Sequence, residues 1–129
     1  APDSYTNGIS AHLAHRWVVR DNEWYRIRTV DDSPAPTILF WSESSDTVVE
    51  RNLLVDCYQG IAFGNASHSS SDHTGGIVRN NIIDFEGPDL LSPFTIIAGR
   101  RRTNVAVDQP PIWNHQYTYE NNIVWSSSG

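Results

Sequence analysis

Four asparagines, Asn22, Asn52, Asn81 and Asn122, stand in the same short text, and this recurrence constrains the chain more than any other feature. The text reads Trp17-Val18-Val19-Arg20-Asp21-Asn22-Glu23-Trp24, then Thr47-Val48-Val49-Glu50-Arg51-Asn52-Leu53-Leu54, then Gly76-Ile77-Val78-Arg79-Asn80-Asn81-Ile82-Ile83, and finally Thr118-Tyr119-Glu120-Asn121-Asn122-Ile123-Val124. An apolar or aromatic residue lies three before each asparagine (Val19, Val49, Val78, Tyr119) and another lies two after it (Trp24, Leu54, Ile83, Val124). The intervals between the asparagines are 30, 29 and 41 residues. A self-similar period of this size marks a solenoid, in which each unit buries its apolar face only by stacking on the next.

A second marker runs ahead of the first. Gly8-Ile9-Ser10-Ala11-His12, Thr37-Ile38-Leu39-Phe40-Trp41, Gly60-Ile61-Ala62-Phe63-Gly64 and Thr95-Ile96-Ile97-Ala98-Gly99 each precede one asparagine text. Every repeat therefore holds at least two short β segments, joined by a connection that lengthens along the chain. Seven prolines and eight glycines among frequent Val, Ile, Thr and aromatic residues favour strands and turns, and no segment carries helical periodicity. The expected coils are 8–36, 37–59, 60–93 and 94–125, all within a single domain spanning 1–129. Between them, Asp31-Asp32-Ser33-Pro34-Ala35-Pro36 and Gly87-Pro88-Asp89 read as turns. Asn65 to Gly75, rich in serine and histidine, reads as an exposed loop, and Gly99 to Gln116 as a longer insertion.

Composition removes several classes of function. The net charge is −6, and the basic side chains are nine arginines with no lysine, so nucleic acid is a poor general partner. No apolar run approaches the roughly 20 residues of a membrane-spanning helix, so no membrane insertion is expected. Cys57 is the single cysteine, which leaves no intramolecular disulfide and no cysteine-based zinc site, and it reads as a small buried residue. A chain that begins at Ala1 and contains no methionine reads as a processed or truncated product. An extracellular or cell-surface location is the corresponding expectation.

With these residues in view, the pattern resembles the right-handed, single-stranded parallel β-helix repeat proteins over nearly the whole chain, from Gly8 to Trp125. That family stacks coils of three short strands and includes polysaccharide lyases, glycoside hydrolases and phage tailspikes. The resemblance implies an all-β solenoid of about four coils, with Asn22, Asn52, Asn81 and Asn122 forming an asparagine ladder. An amide at a tight bend tolerates a left-handed backbone and can hydrogen-bond its equivalent one coil away, at a strand spacing of about 4.8 Å. Stacking the asparagines also stacks Arg20, Glu50, Arg79 and Glu120, two residues earlier, into a column of alternating sign. Opposite charges on neighbouring strands contribute about 0.2–1 kcal/mol per pair, so this register is favourable.

Stacked coils would gather the loops that precede the asparagine texts along one edge, bringing His12, His15, His68, Asp72, His73, Arg100 and His115 to a common side. There His68, Asp72 and His73 have the chemistry of metal ligands or a general base, and Arg100-Arg101-Arg102 could neutralise a uronate. No recognised catalytic constellation unites them, since HExxH, CxxC and glycine-rich phosphate loops are all absent. If the chain is an enzyme, the resemblance implies a polysaccharide lyase or glycoside hydrolase, with calcium as the cofactor to look for. The lack of lysine and of a carboxylate cluster on one strand departs from the lyases. Trp41, Trp113 and Tyr117 offer flat rings for stacking on sugars, and Asn65-Ala66-Ser67 fits a glycosylation sequon. The leading expectation is an extracellular scaffold that recognises a polysaccharide or glycan. The alternative is a structural subunit that stacks end to end with copies of itself into a filament, because no capping element is visible; a segment of a longer solenoid would look the same.

Overall fold

A computed structural model of the chain describes residues 6–28, 36–64, 73–85, 94–96 and 117–126. It contains twelve strands: β1 (Ile9–His12), β2 (Val18–Arg20), β3 (Glu23–Tyr25), β4 (Pro36–Trp41), β5 (Ser44–Glu50), β6 (Leu53–Cys57), β7 (Gln59–Phe63), β8 (His73–Arg79), β9 (Ile82–Phe85), β10 (Phe94–Ile96), β11 (Tyr117–Glu120) and β12 (Ile123–Ser126). They form three four-stranded sheets, ordered β1-β4-β7-β10, β2-β5-β8-β11 and β3-β6-β9-β12. Every pairing is parallel. The chain therefore visits the first, second and third sheet in turn and repeats the circuit one strand further on, the path of a parallel β-helix. Each set of three consecutive strands is one rung. Where the sequence announces two strands per repeat, the third follows each asparagine directly, because the bend there spans only two residues.

The registers place like residues over like. Val19 pairs with Val49 and Val49 with Val78, Trp24 with Leu54 and Leu54 with Ile83, and Ile38 and Phe40 lie beside Ile61 and Phe63. These inward columns make one continuous core in which Ile38, Phe40, Val49, Leu54, Phe63, Val78 and Ile83 are completely buried. Burying each such side chain contributes about 1.5–3 kcal/mol, which offsets the entropy of ordering so many short strands. Cys57 is fully buried in the same core. A register shift between Leu54 and Cys57 accommodates one extra residue in β6 relative to β9. Among the described residues there is no helix long and apolar enough to cross a membrane.

The bend between the second and third sheets shows how the asparagines act. The sequence places the left-handed backbone on the asparagine itself, whereas the structure places it one residue earlier, at Asp21 (φ 58°), Arg51 (53°), Asn80 (54°) and Asn121 (54°). This shift frees each asparagine to turn its amide inward. Asn52 and Asn81 are buried, 2% and 0% exposed. The Oδ1 of Asn52, Asn81 and Asn122 each accepts two bonds from the asparagine of the preceding rung, one from its backbone N–H and one from its Nδ2. Unpaired amides would be costly in this core, and the stacking satisfies them.

Candidate functional site

The corner where the first sheet hands the chain to the second carries the exposed chemistry. In the first rung it is His12-Leu13-Ala14-His15-Arg16-Trp17, and in the second it is Trp41-Ser42-Glu43-Ser44-Ser45-Asp46. His12 pairs with Trp41 and His15 with Ser45, so the second rung holds one extra residue at the corner. Five of the eleven non-glycine residues with positive φ among the described residues lie here: Leu13, Arg16, Ser42, Glu43 and Asp46. Each costs of order 1–3 kcal/mol and persists only where its surroundings hold it. Ser44, 2% exposed, does much of that holding. Its Oγ accepts from the Ala14 N–H at 3.2 Å and donates to the Trp41 carbonyl at 2.7 Å.

On this fixed backbone the side chains meet in pairs. His12 stands edge-on to Trp41, with ring centroids 4.2 Å apart and planes at 80°. The Trp41 indole N–H donates to Ser10 Oγ at 3.3 Å, so the ring is anchored at two points on the outward side of the first sheet. His15 Nδ1 lies 2.9 Å from Ser45 Oγ. Glu43 and Asp46 are exposed beside them. The Asp46 carboxylate lies against the backbone of Gly75, where a Cβ would come within 2.6 Å of Oδ1. The corner thus combines an indole, two imidazoles, hydroxyls and two carboxylates, a set suited to stacking on a sugar ring and hydrogen-bonding its hydroxyls. Beneath it, Leu39 and Ala62, 2% and 0% exposed, form a small buried apolar cluster with Trp41 packed against them.

His73 has a different place from the one its sequence context suggests. It opens β8 opposite Ser44 and is 1% exposed, rather than lying in a polar loop. Its ring stacks on Phe63 with centroids 4.4 Å apart and planes at 8°, and Nε2 lies 3.2 Å from Thr47 Oγ1. A flat imidazole fills this space as an aromatic would while giving Thr47 a partner, so His73 serves the core. Of the other residues singled out in the sequence, Asn65, His68, Asp72, Arg100, Arg101, Arg102, Trp113 and His115 lie outside the described residues. Tyr117 is fixed only in backbone, in β11 beside Gly76. Among the described residues no group of three or more His, Cys, Asp or Glu side chains could hold a metal ion. Ser10 and Asp46 escaped the sequence reading, and the signal for both is the register: pairing His12 with Trp41 brings Ser10 beneath the indole.

The charge column adopts the pairing of its register, Arg20 to Glu50, Glu50 to Arg79 and Arg79 to Glu120. Its centre is less exposed than an outward column suggests, since Glu50 is 5% exposed. Arg79 Nη2 lies 2.7 Å from Glu50, Arg51 Nη1 3.2 Å and Arg20 Nη1 4.0 Å. The hydrogen bond from Arg79 foremost, with the charges of Arg79, Arg51 and Arg20, holds the Glu50 carboxyl below its ordinary range against the opposing effect of desolvation. Arg51 also grips Asp21 with two bonds of 2.8 and 3.1 Å, which lowers the Asp21 carboxyl in turn. The cluster is a saturated ion network at the outer edge of the bend, with its charges turned on one another.

No protein-family model, curated protein or solved structure matches the chain.

Proposed function

We propose that the chain is a carbohydrate-recognising parallel β-helix acting outside the cell, wound right-handed as nearly all parallel crossovers are, with the asparagine amides as the ladder that keeps its rungs in register. The glycan lies at the corner that follows the first sheet, against Trp41 and within reach of His12, Ser10, His15 and Ser45. The observation that carries this reading is the His12–Trp41 pair, an aromatic platform held edge-on by an imidazole and pinned to Ser10. A ring immobilised before binding loses little entropy when a sugar stacks on it. The role is recognition; a lyase or hydrolase ancestry accounts for the scaffold.

Electrophoresis through gels containing a panel of acidic and neutral polysaccharides tests the reading. The wild-type chain is expected to be retarded by at least one of them. Trp41→Ala and His12→Ala are each expected to weaken that retardation by about tenfold, the equivalent of roughly 1.4 kcal/mol. Migration unaffected by every polymer, or retardation unchanged in both variants, overturns it.

A further inference from the structure

Hydrogen-bonding capacity at the corner is unevenly spent. The backbone N–H groups of Leu13, Ala14, Arg16 and Ser45 donate to the Ser42 carbonyl, Ser44 Oγ, the Ser45 carbonyl and the Ala14 carbonyl, at 2.9 to 3.2 Å. The Ser44 hydroxyl proton goes to the Trp41 carbonyl, and the Trp41 indole N–H goes to Ser10 Oγ. His15 Nδ1 and Ser45 Oγ share one bond between them. Two acceptors stand outside this arrangement. Glu43 and Asp46 are exposed, and neither carboxylate accepts a hydrogen bond or joins an ion pair among the described residues. Both project from the same turn as Trp41, on backbone held at positive φ at Ser42, Glu43 and Asp46.

The positive charges of the described residues are mostly committed elsewhere. Arg20, Arg51 and Arg79 are turned on Glu50 and Asp21, and Arg26 and Arg28 on Asp56. Among the described arginines, Arg16 alone stands at the corner. The bridge from His15 to Ser45 sets it opposite Asp46 in the next rung, where it offsets one of the two carboxylates. With neutral imidazoles the corner therefore keeps one negative charge in excess. A sugar hydroxyl donates as well as accepts, and a carboxylate receiving its proton makes a charge-assisted bond, roughly twice as strong as a neutral one. A uronate or a sulfate ester is an acceptor only, and at this corner it meets groups of its own kind.

We infer that the ligand of this corner is a neutral, hydroxyl-rich glycan, whose ring stacks on Trp41 while its hydroxyls donate to Glu43 and Asp46, and that polymers bearing uronate or sulfate groups are excluded. The inference rests on the glycan reading and narrows it to one class of polymer. Specificity comes from the two carboxylates, which are positioned by the strained turn and not by partners of their own. Arg16 is the group on which an acidic glycan would depend, so it separates the two classes.

Frontal affinity chromatography on columns carrying cellulose, galactomannan, alginate or chondroitin sulfate tests it. At an ionic strength of about 0.15 M, charges further apart than about 8 Å are screened, so the corner and not the chain's net charge decides retention. The wild type is expected to be retained by at least one neutral polymer and by neither acidic one. Glu43→Gln and Asp46→Asn keep the shape of each side chain, and asparagine tolerates the left-handed backbone at 46. Each is expected to weaken retention on the neutral polymer by about tenfold, with circular dichroism reporting unchanged β content. Arg16→Gln is expected to change it by less than about twofold. Retention on an acidic polymer that both Trp41→Ala and Arg16→Gln weaken overturns this inference and leaves the glycan reading standing. Neutral retention that survives in both carboxylate variants also overturns it, whereas a chain retained by no polymer overturns both.

Discussion

Asn52 and Asn81 are joined twice: the backbone N–H and the Nδ2 of Asn52 both donate to Asn81 Oδ1, at 3.0 and 3.1 Å, while the second Nδ2 proton reaches back to the Val19 carbonyl. Removing one amide from this column affects both neighbours. Asn52→Leu deprives Asn22 of its acceptor, and leaves the Val19 carbonyl and part of the Asn81 Oδ1 without donors. Its expected cost is on the order of 3 kcal/mol, from several buried groups left unpaired. Asn22→Leu, at the half-exposed end of the column, is expected to cost less. Urea unfolding checks both, with the difference read in the midpoint at constant slope.

Glu50 makes folding sensitive to acid. Its carboxyl is held below the ordinary value of 4.5 by the hydrogen bond from Arg79, aided by the charges of Arg79, Arg51 and Arg20. A carboxyl depressed in the folded state contributes stability that is present above about pH 4.5 and is lost as pH falls through the lower folded value. Asp21, lowered by Arg51 from an ordinary 3.8, acts in the same direction at the exposed edge. Glu50→Gln is therefore expected to melt below the wild type at pH 7, with the gap closing as the pH is taken below 4.5. Melting temperatures measured across that window check the sign. A gap that widens in acid would contradict it.

The columns that form the core and the bend were legible because each side chain there has the same neighbour in every rung, so its type repeats with the period. Where rungs differ, local text misleads. His73 follows a run of serines and looks solvated, yet its place is decided by Ser44, Phe63 and Thr47 on strands far back in the chain. Glu50 is charged and looks outward, yet three arginines close over it. The left-handed residue at the bend is Asp21, Asn80 or Asn121 in three rungs, types that tolerate that conformation, but Arg51 in the other, and each stands beside an asparagine that would tolerate it as well, so backbone geometry is what identifies it. At the corner, the regular pairing of β1 with β4 brings Ser10, His12 and Trp41 together, and one extra residue between Trp41 and Ser45 then sets the place of His15. A register with an insertion cannot be read from either segment alone.

Cys57 offers a probe of rung opening. It is fully buried and lies in β6 at the register shift against β9. A thiol so placed reacts only when its surroundings open. The native chain is expected to resist a disulfide reagent such as dithionitrobenzoate, and to react within the unfolding transition in urea. Rapid labelling without denaturant would show that the third sheet opens locally at this position.

Gly76 tests how tightly the middle rungs are packed. It pairs with Thr47 on one side and with the backbone of Tyr117 on the other, and its lack of a side chain makes room for Phe63. A Cβ on Gly76 would come within 2.6 Å of Phe63 Cε2 and 3.3 Å of His73 Cε1. Neither ring can readily retreat: Phe63 is fully buried, stacks on His73 at 4.4 Å and meets Phe40 edge-on at 6.3 Å. Gly76→Ala is therefore expected to destabilise the chain by about 1–3 kcal/mol, the usual range for overpacking a core. Thr74→Ala, two residues away and exposed, is expected to change stability by less than about 0.5 kcal/mol. Trimming the obstructing ring supplies the decisive comparison. In Gly76→Ala combined with Phe63→Leu, the closest contact, that with Cε2, is removed, so the pair is expected to cost less than the sum of the single substitutions. Denaturant unfolding of the three variants and the wild type measures that coupling, and strict additivity would show that Phe63 is not what requires glycine at this position.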